Sequence, residues 1–228
     1  MEGCGSAIKT SGGRLVITDS VLSGYTNPMG SGGAVCTFNT VDVEIHGSLF
    51  DANEVGFEGG ALFVEQAETL TLSQTTFSSN KAPHHGAVYA QISESATISD
   101  CAFNNNSATV GDGGGIYLDA YGPDDAVANI YGSEFDSNDA VGEGGGLYLS
   151  GFYQVAFIGT EISNNEAQDG GGIYAQNVGD MSSDSGAGIS FDDSGCDGYC
   201  VVHQNHSRVF GGFFRGRLWL QFLSSILE

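Results

Sequence analysis

The stretch "FNNNSATVGDGGGIY", Phe103 to Tyr117, decides the fold of this chain. It joins three asparagines to four glycines among five residues and ends on an apolar pair, a composition that disfavours a helix. Related stretches recur at 50–63, 77–89, 135–148 and 162–174. A chain of 228 residues that repeats such a run is predicted to be a repeat protein, in which each run marks the same place of one structural unit.

Glycines set the length of the repeat. We take as a marker the second glycine of each pair, or the lone glycine after His85, and successive markers lie 20 to 31 residues apart. The markers are Gly13, Gly33, Gly60, Gly86, Gly114, Gly145 and Gly171. An interval of this size without a helical segment is typical of a solenoid. Because glycine adopts positive φ readily, we expect a sharp bend at this place in every unit.

A large apolar residue, the anchor, precedes each glycine pair. The anchors are Leu22, Phe50, Phe77, Phe103, Phe135 and Ile162. Seven and five residues before them stand the apolar pairs Leu15/Ile17, Val43/Ile45, Leu70/Leu72, Ala96/Ile98, Ala128/Ile130 and Val155/Phe157. Apolar residues two apart indicate a strand with one buried face, and the odd step of five to the anchor requires a corner.

Most anchors are followed three residues later by asparagine. The pairs are Phe50 with Asn53, Phe77 with Asn80, Phe103 with Asn106, Phe135 with Asn138 and Ile162 with Asn165. Asparagine tolerates left-handed dihedral angles, and its amide can bond to the same residue one layer above, so we predict a turn and an asparagine ladder at this position.

After the glycines the pattern is strand-like again, with apolar residues two apart, as in Ile116 and Leu118. The residues between these inward positions are predicted to point outward by alternation. They are Cys36, Phe63, Tyr89, Tyr117, Tyr148 and Tyr174. Two interpretations of this aromatic set stay open: a binding surface for sugar rings or a partner protein, and a ladder of rings that stabilises the sheet.

Together these patterns predict an all-β, single-stranded parallel β-helix of about seven coils over residues 1–200. In the last coil, Ile189 and Phe191 would face inward, Cys196 would be the anchor and Tyr199 would replace asparagine. Residues 201–228 hold three of the four arginines, and we expect them to form a cap or an atypical tail.

The combination of F-x-x-N with "GGAV" at 32 and "GGAL" at 59 resembles the repeat of the chlamydial polymorphic outer membrane proteins. It is similar also to the wider group of right-handed, pectin-lyase-like β-helix cell-surface proteins. The resemblance covers about residues 10 to 175. It implies a right-handed coil and an extracellular or cell-surface location, which is the outer membrane if the chain is bacterial, with a role in adhesion or as a surface antigen.

The charge of the chain restricts its partners. Six basic against 28 acidic residues give a net charge of −22, which repels nucleic acid and anionic lipid. No apolar run reaches the length of a membrane-spanning helix, and the N-terminus lacks the features of a signal peptide. We therefore expect a part of a larger surface protein, with a cell-surface protein or a polysaccharide as partner.

The sequence contains few candidate catalytic residues. A polyuronate lyase needs a strong base, but Lys81 is the only lysine or arginine between Arg14 and Arg208. Hydrolysis needs facing carboxylates, and the only adjacent pairs are Asp124/Asp125 and Asp192/Asp193. We predict a non-catalytic domain, with a polysaccharide-cleaving enzyme and a purely structural fragment as alternatives.

The predicted binding residues are the tyrosines of the outward set and the acidic loop "YGPDDA". They are Tyr89, Tyr117, Tyr148, Tyr174, Asp124 and Asp125. His46, His84 and His85 have no triad partners and are predicted to be surface or turn residues. Two N-x-S sequons, at Asn105 and Asn205, would matter only in a eukaryotic secretory pathway.

No cofactor and no metal site is predicted. Zinc would accept Cys196, Cys200, His203 and His206, but their intervals are too short for a standard finger, and a Cys196–Cys200 disulfide is the alternative in an exported protein. Weak structural calcium binding at the glycine turns stays open. Its ligands would be Asp112, Asp119, Glu143 and Asp169.

Overall fold

The computed structural model describes residues 4–122, 125–179, 188–192 and 201–207, which form 26 β-strands and no helix. The strands of each sheet pair in parallel from coil to coil, so the described chain is an all-β, right-handed parallel β-helix of about six turns. This confirms the predicted fold class. The strands belong to three sheets, which we name A, B and C.

Sheet A has twelve strands. They are β1 (Ile8–Ser11), β2 (Arg14–Thr18), β5 (Val35–Phe38), β6 (Asp42–His46), β9 (Leu62–Ser73), β12 (Val88–Ser99), β15 (Ile116–Ala120), β16 (Val127–Tyr131), β19 (Leu147–Ser150), β20 (Gln154–Ile158), β23 (Ile173–Gln176) and β24 (Gly188–Asp192). The long strands β9 and β12 span both segments that are separate strands in the other coils.

Sheets B and C have seven short strands each. Sheet B contains β3 (Val21–Ser23), β7 (Leu49–Asp51), β10 (Thr76–Ser78), β13 (Ala102–Asn104), β17 (Glu134–Asp136), β21 (Glu161–Ser163) and β25 (Val201–His203). Sheet C contains β4 (Thr26–Asn27), β8 (Glu54–Val55), β11 (Lys81–Ala82), β14 (Ser107–Ala108), β18 (Asp139–Ala140), β22 (Glu166–Ala167) and β26 (His206–Ser207).

The anchors form the predicted column inside the coil. Phe50, Phe77, Phe103 and Phe135 are fully buried and pair with one another in register. Their ring centroids lie 4.7 to 5.0 Å apart, with interplanar angles of 1° to 15°. Each stacked pair contributes roughly 0.5–1.5 kcal/mol beyond the burial of its apolar surface. The column therefore fixes the register of one coil on the next.

The asparagine ladder is confirmed, but its dihedral angles differ from the prediction. Asn106 Nδ2 donates to Phe77 O at 2.9 Å and to Asn138 Oδ1 at 3.0 Å, and the same two bonds recur at Asn53, Asn80, Asn138 and Asn165. The left-handed residue is the one before the ladder position, such as Asn105 with φ 57°. The ladder asparagine is therefore selected for its amide, and its neighbour makes the turn.

The paired glycines have two separate roles. The first glycine of a pair, such as Gly113 with φ 65° or Gly144 with φ 69°, makes the left-handed bend that the sequence predicted. The second, such as Gly114, has no positive φ. A Cβ at Gly114 would come 2.5 Å from Gly145 O in the next coil, so close approach of two backbones requires this glycine.

The predicted alignment of the repeats is wrong at both ends of the stack. Residue Ser6, not Gly13, pairs with Gly33 in the next coil, because Gly12 and Gly13 lie in the bend between β1 and β2. In the last coil, Ile189 faces inward as predicted, but Val202 takes the anchor position and Asn205 takes the ladder position. The assignment of Cys196 and Tyr199 was wrong, because the chain from 193 to 200 adds residues between β24 and β25.

The coil thus continues past residue 200, where the predicted boundary stood, as far as Ser207. Residues 208–228, for which a cap or tail was predicted, lie outside the described residues. Cys196 and Cys200, of the zinc and disulfide hypotheses, lie outside them as well.

A disulfide joins Cys4 to Cys36, with the two Cα atoms 5.8 Å apart and a sequence separation of 32 residues. Sequence reasoning assigned Cys36 only as a replacement for tyrosine. Cys36 is fully buried against Phe38 and Phe63. The bond therefore ties the first coil to the second beneath the aromatic set.

Candidate functional site

The candidate site is the tyrosine file, which we define as Phe63, Tyr89, Tyr117, Tyr148 and Tyr174. Consecutive strands of sheet A place these rings in register, one per coil. Their centroids lie 4.3 to 5.6 Å apart, and the Tyr117 and Tyr148 rings are nearly parallel at 8°. The file is a continuous aromatic ladder along one face of the rod, as one of the two interpretations predicted.

The file is less exposed than alternation predicted. Tyr148 is 4% exposed and Tyr174 is 7% exposed, while Tyr89 and Tyr117 are half-buried. The rings cover one another, and a Cβ at Gly113 would lie 2.8 Å from Tyr117 Cβ, so the glycine turn and the base of this tyrosine approach closely. Because the ring faces are occupied by neighbouring rings, they offer no platform for a sugar ring, and only edges and hydroxyl groups remain for a ligand.

The hydroxyl groups of Tyr89, Tyr117 and Tyr148 stay protonated over the physiological range. Burial raises the pKa of the Tyr117 hydroxyl to about 12, and the Asp119 carboxylate adds to this shift. Burial also raises the pKa of Tyr89 and of Tyr148, and the Glu58 carboxylate adds to the shift at Tyr89. The file therefore presents hydrogen-bond donors beside carboxylate acceptors, a pairing suited to a ligand rich in hydroxyl groups.

His85 is a part of the site that sequence reasoning placed on the surface or in a turn. It is in a turn, with φ 57°, at the position where other coils have the first glycine. Its side chain is only 12% exposed, however, and its ring centroid lies 4.8 Å from that of Tyr89 and 4.0 Å from that of Tyr117. The missing glycine before Gly86 was the signal in the sequence: a side chain was required there.

The imidazole of His85 is neutral in the folded chain. Its Nδ1 atom is buried without a hydrogen-bond partner, and Nε2 lies 3.9 Å from Glu58 Oε1. Burial lowers the pKa of His85 to about 4, with a smaller lowering from His84. Burial also raises the pKa of the Glu58 carboxyl. Burial therefore disfavours the charged forms of both His85 and Glu58 at this end of the tyrosine file.

Acidic residues lie directly before the glycine pairs, in the turns beside the file. The backbone of Glu143 pairs with the backbone of Asp169 in the next coil, and Glu143 N donates to Asp112 Oδ1 at 2.7 Å. These are three of the residues of the calcium hypothesis. Within the described ranges, no three His, Cys, Asp or Glu side chains form a group able to hold a metal ion. The carboxylates instead form an acidic border along the edge of the file.

The acidic loop lies apart from the tyrosines. It leaves the far end of β15 after Ala120, which is three residues, about 10 Å of strand, beyond Tyr117. Asp125 is an exposed turn residue, and Asp124 lies outside the described residues. The predicted binding residues therefore form two surfaces, the tyrosine file and the edge at Asp125.

In the part of the chain that the structure describes, no helix is long and apolar enough to cross a membrane. A family model described as a right handed beta helix region matches the chain twice, over residues 2–133 and 61–216. No curated protein and no solved structure matches the chain.

Proposed function

Because the chain belongs to the right-handed β-helix family, we propose that it is a non-catalytic, adhesin-like domain of an extracellular or cell-surface protein. Its partner would be a cell-surface protein or a polysaccharide. The resemblance of the F-x-x-N and glycine repeats to chlamydial polymorphic outer membrane proteins supports the adhesive role.

The observation that carries this proposal is the Cys4–Cys36 disulfide. Disulfides form and persist in oxidising environments and are rare in the cytosol. This bond joins two coils whose hydrogen bonding is already regular, so it adds resistance to unfolding outside the cell. An acidic surface with a net charge of −22 is compatible with the same location and favours solubility.

The tyrosine file supplies the binding surface of the proposal. A polysaccharide offers hydroxyl groups at regular intervals, and the file offers the Tyr117 hydroxyl group near the Asp119 carboxylate, with Gln91 and Ser150 at the equivalent position of the flanking coils. Tyr117 and Asp119 are the centre of this surface, because both are partly exposed. The acidic border disfavours polyanions such as polyuronates, so neutral or cationic glycans are the expected class.

The test is binding of the full chain to a glycan array and to intact cells, with Tyr117→Phe and Asp119→Asn as variants. Both keep the size of the side chain, and Tyr117→Phe keeps the ring ladder. Loss of a hydrogen bond to a charged or desolvated partner costs about 1.5 kcal/mol or more, so affinity should fall roughly tenfold. Tyr131→Phe, on the second segment of sheet A, is the matched control and should bind normally.

Unchanged binding in both variants would remove the tyrosine file from the proposal. Cleavage of pectin, polygalacturonate or alginate at enzyme-like rates would replace the non-catalytic role with the enzymatic alternative. Free-thiol counting on protein isolated from its native source tests the location, which predicts that Cys4 and Cys36 are bonded.

A further inference from the structure

The two N-x-S sequons occupy opposite environments in the coil. Asn105 lies at the corner between β13 and β14, with φ 57° and an exposed side chain. Its backbone N–H donates to Asp136 O at 3.1 Å, but its side-chain amide makes no hydrogen bond to any residue in the described part of the chain. The amide nitrogen is free to carry a substituent that extends into solvent.

Asn205, the asparagine of the second sequon, is a rung of the ladder. Its Nδ2 donates to Ile162 O at 3.0 Å, and its Oδ1 accepts from Asn165 N and Nδ2, each at 3.0 Å. A Cβ at Gly172 would lie 2.9 Å from Asn205 Nδ2, so this nitrogen also packs closely against the preceding coil. A sugar on it would interfere with the last rung.

From this contrast we propose that Asn105, and not Asn205, is an N-linked glycosylation site of the folded protein. The donor class is a lipid-linked oligosaccharide diphosphate. The bond between Asn105 Nδ2 and the first sugar carbon forms, the bond from that carbon to the phosphate oxygen breaks, the amide loses a proton and the lipid diphosphate leaves. The +2 hydroxyl of Ser107 completes the sequon that directs this transfer.

This inference rests on the proposed extracellular location, reached through a eukaryotic secretory pathway, because that pathway carries out the transfer and also forms disulfides. A glycan at Asn105 would project from the corner between sheets B and C, away from the tyrosine file on sheet A. It would shield the rod without covering the proposed binding surface.

The experiment is secretion of the full chain, with a cleavable leader, from a eukaryotic cell line. Enzymatic release of N-glycans in heavy-oxygen water converts each occupied asparagine to labelled aspartate, which peptide mass mapping locates. The expected result is label at Asn105, no label at Asn205, and loss of label at Asn105 in Ser107→Ala with recovery in Ser107→Thr.

A matched corner is available one coil earlier. Ser79 is exposed with φ 55°, so the double variant Ser79→Asn with Lys81→Ser places a sequon in the same geometry, and we expect a second glycan there. The same samples are checked for the Cys4–Cys36 bond by non-reducing peptide mapping. A secreted, disulfide-bonded chain without label at Asn105, or with label at Asn205, overturns the glycosylation proposal alone. Retention of the chain with reduced cysteines overturns both this proposal and the extracellular location.

Discussion

Replacing Asn106 by alanine tests whether the asparagine ladder holds the coils together. Asn106 lies in the middle of the ladder and is 1% exposed. Its Oδ1 accepts from Asn80 N at 2.9 Å and from Asn80 Nδ2 at 3.1 Å, while its own Nδ2 donates to Phe77 O and Asn138 Oδ1. The alanine variant removes all four bonds at once.

The expected loss follows from the groups that remain without partners. Asn80 N–H loses the side-chain acceptor that it has in the folded chain, and Phe77 C=O loses its side-chain donor. An unsatisfied buried polar group costs about 1–3 kcal/mol, so the two groups together predict a loss of about 4 kcal/mol in the free energy of unfolding. Asn138 Oδ1 keeps the bond from the backbone of residue 106 and adds little.

The assay is urea unfolding of the full chain, followed by far-ultraviolet circular dichroism, with the loss taken from the shift in midpoint at a common m-value. Asn105→Gly is the control, because it changes the neighbouring asparagine at an exposed corner whose φ glycine adopts freely. The control should stay within about 0.5 kcal/mol of the parent. If Asn106→Ala lost less than about 1 kcal/mol, or no more than the control, the ladder would not be a source of stability.

Three further predictions concern His85, the disulfide and the second glycine. The pKa of His85 is about 4 in the folded chain and about 6.5 when unfolded, so the unfolded chain binds the proton first as the pH falls. The free energy of unfolding, relative to that of His85→Asn, should therefore fall by about 3 kcal/mol between pH 6.5 and pH 4 and level off below pH 4. Urea titrations at a series of pH values measure this loss. The double variant Cys4→Ser with Cys36→Ser should lose about 3 kcal/mol relative to the oxidised parent protein in urea unfolding. Under reducing conditions, which break the bond in the parent, the two proteins should be equally stable. Gly145→Ala should lower the melting temperature by several degrees, because the added Cβ meets the carbonyl oxygens of Glu166 and Gly171, and an unchanged melting temperature would contradict the close approach.

The register of the central coils was predictable because identical residues at equal offsets must stack. The constant offset from anchor to asparagine is enough to place Phe77 over Phe103 and Asn80 over Asn106, as the structure has them. The last coil was misassigned for the complementary reason. Extra residues between Asp192 and Val201 break the constant offset, and counting from Phe191 then selects Cys196 instead of Val202.

Several features of the structure could not be predicted from the repeat pattern of the sequence. Alternation tells which face of a strand a side chain takes, but it does not tell what covers that face, so the burial of Tyr148 by adjacent rings was not foreseen. The left-handed turn residue was misplaced because its identity varies from Ala52 to Ser137 and leaves no periodic signal. The Cys4–Cys36 pair was missed because the two cysteines occupy different positions of their coils, with Cys4 opposite Ser31.

The uniform asparagine rung has a consequence for how such a rod can change in length during evolution. Each ladder asparagine bonds through its side-chain amide to the asparagine of the next coil, and it accepts the same bond from the coil before. Duplication or loss of one whole repeat would therefore leave both new junctions chemically equivalent to the old ones. Tandem recombination of the gene is therefore expected to lengthen or shorten the protein in steps of one layer, about 4.8 Å, while a change of part of a repeat would break the stack.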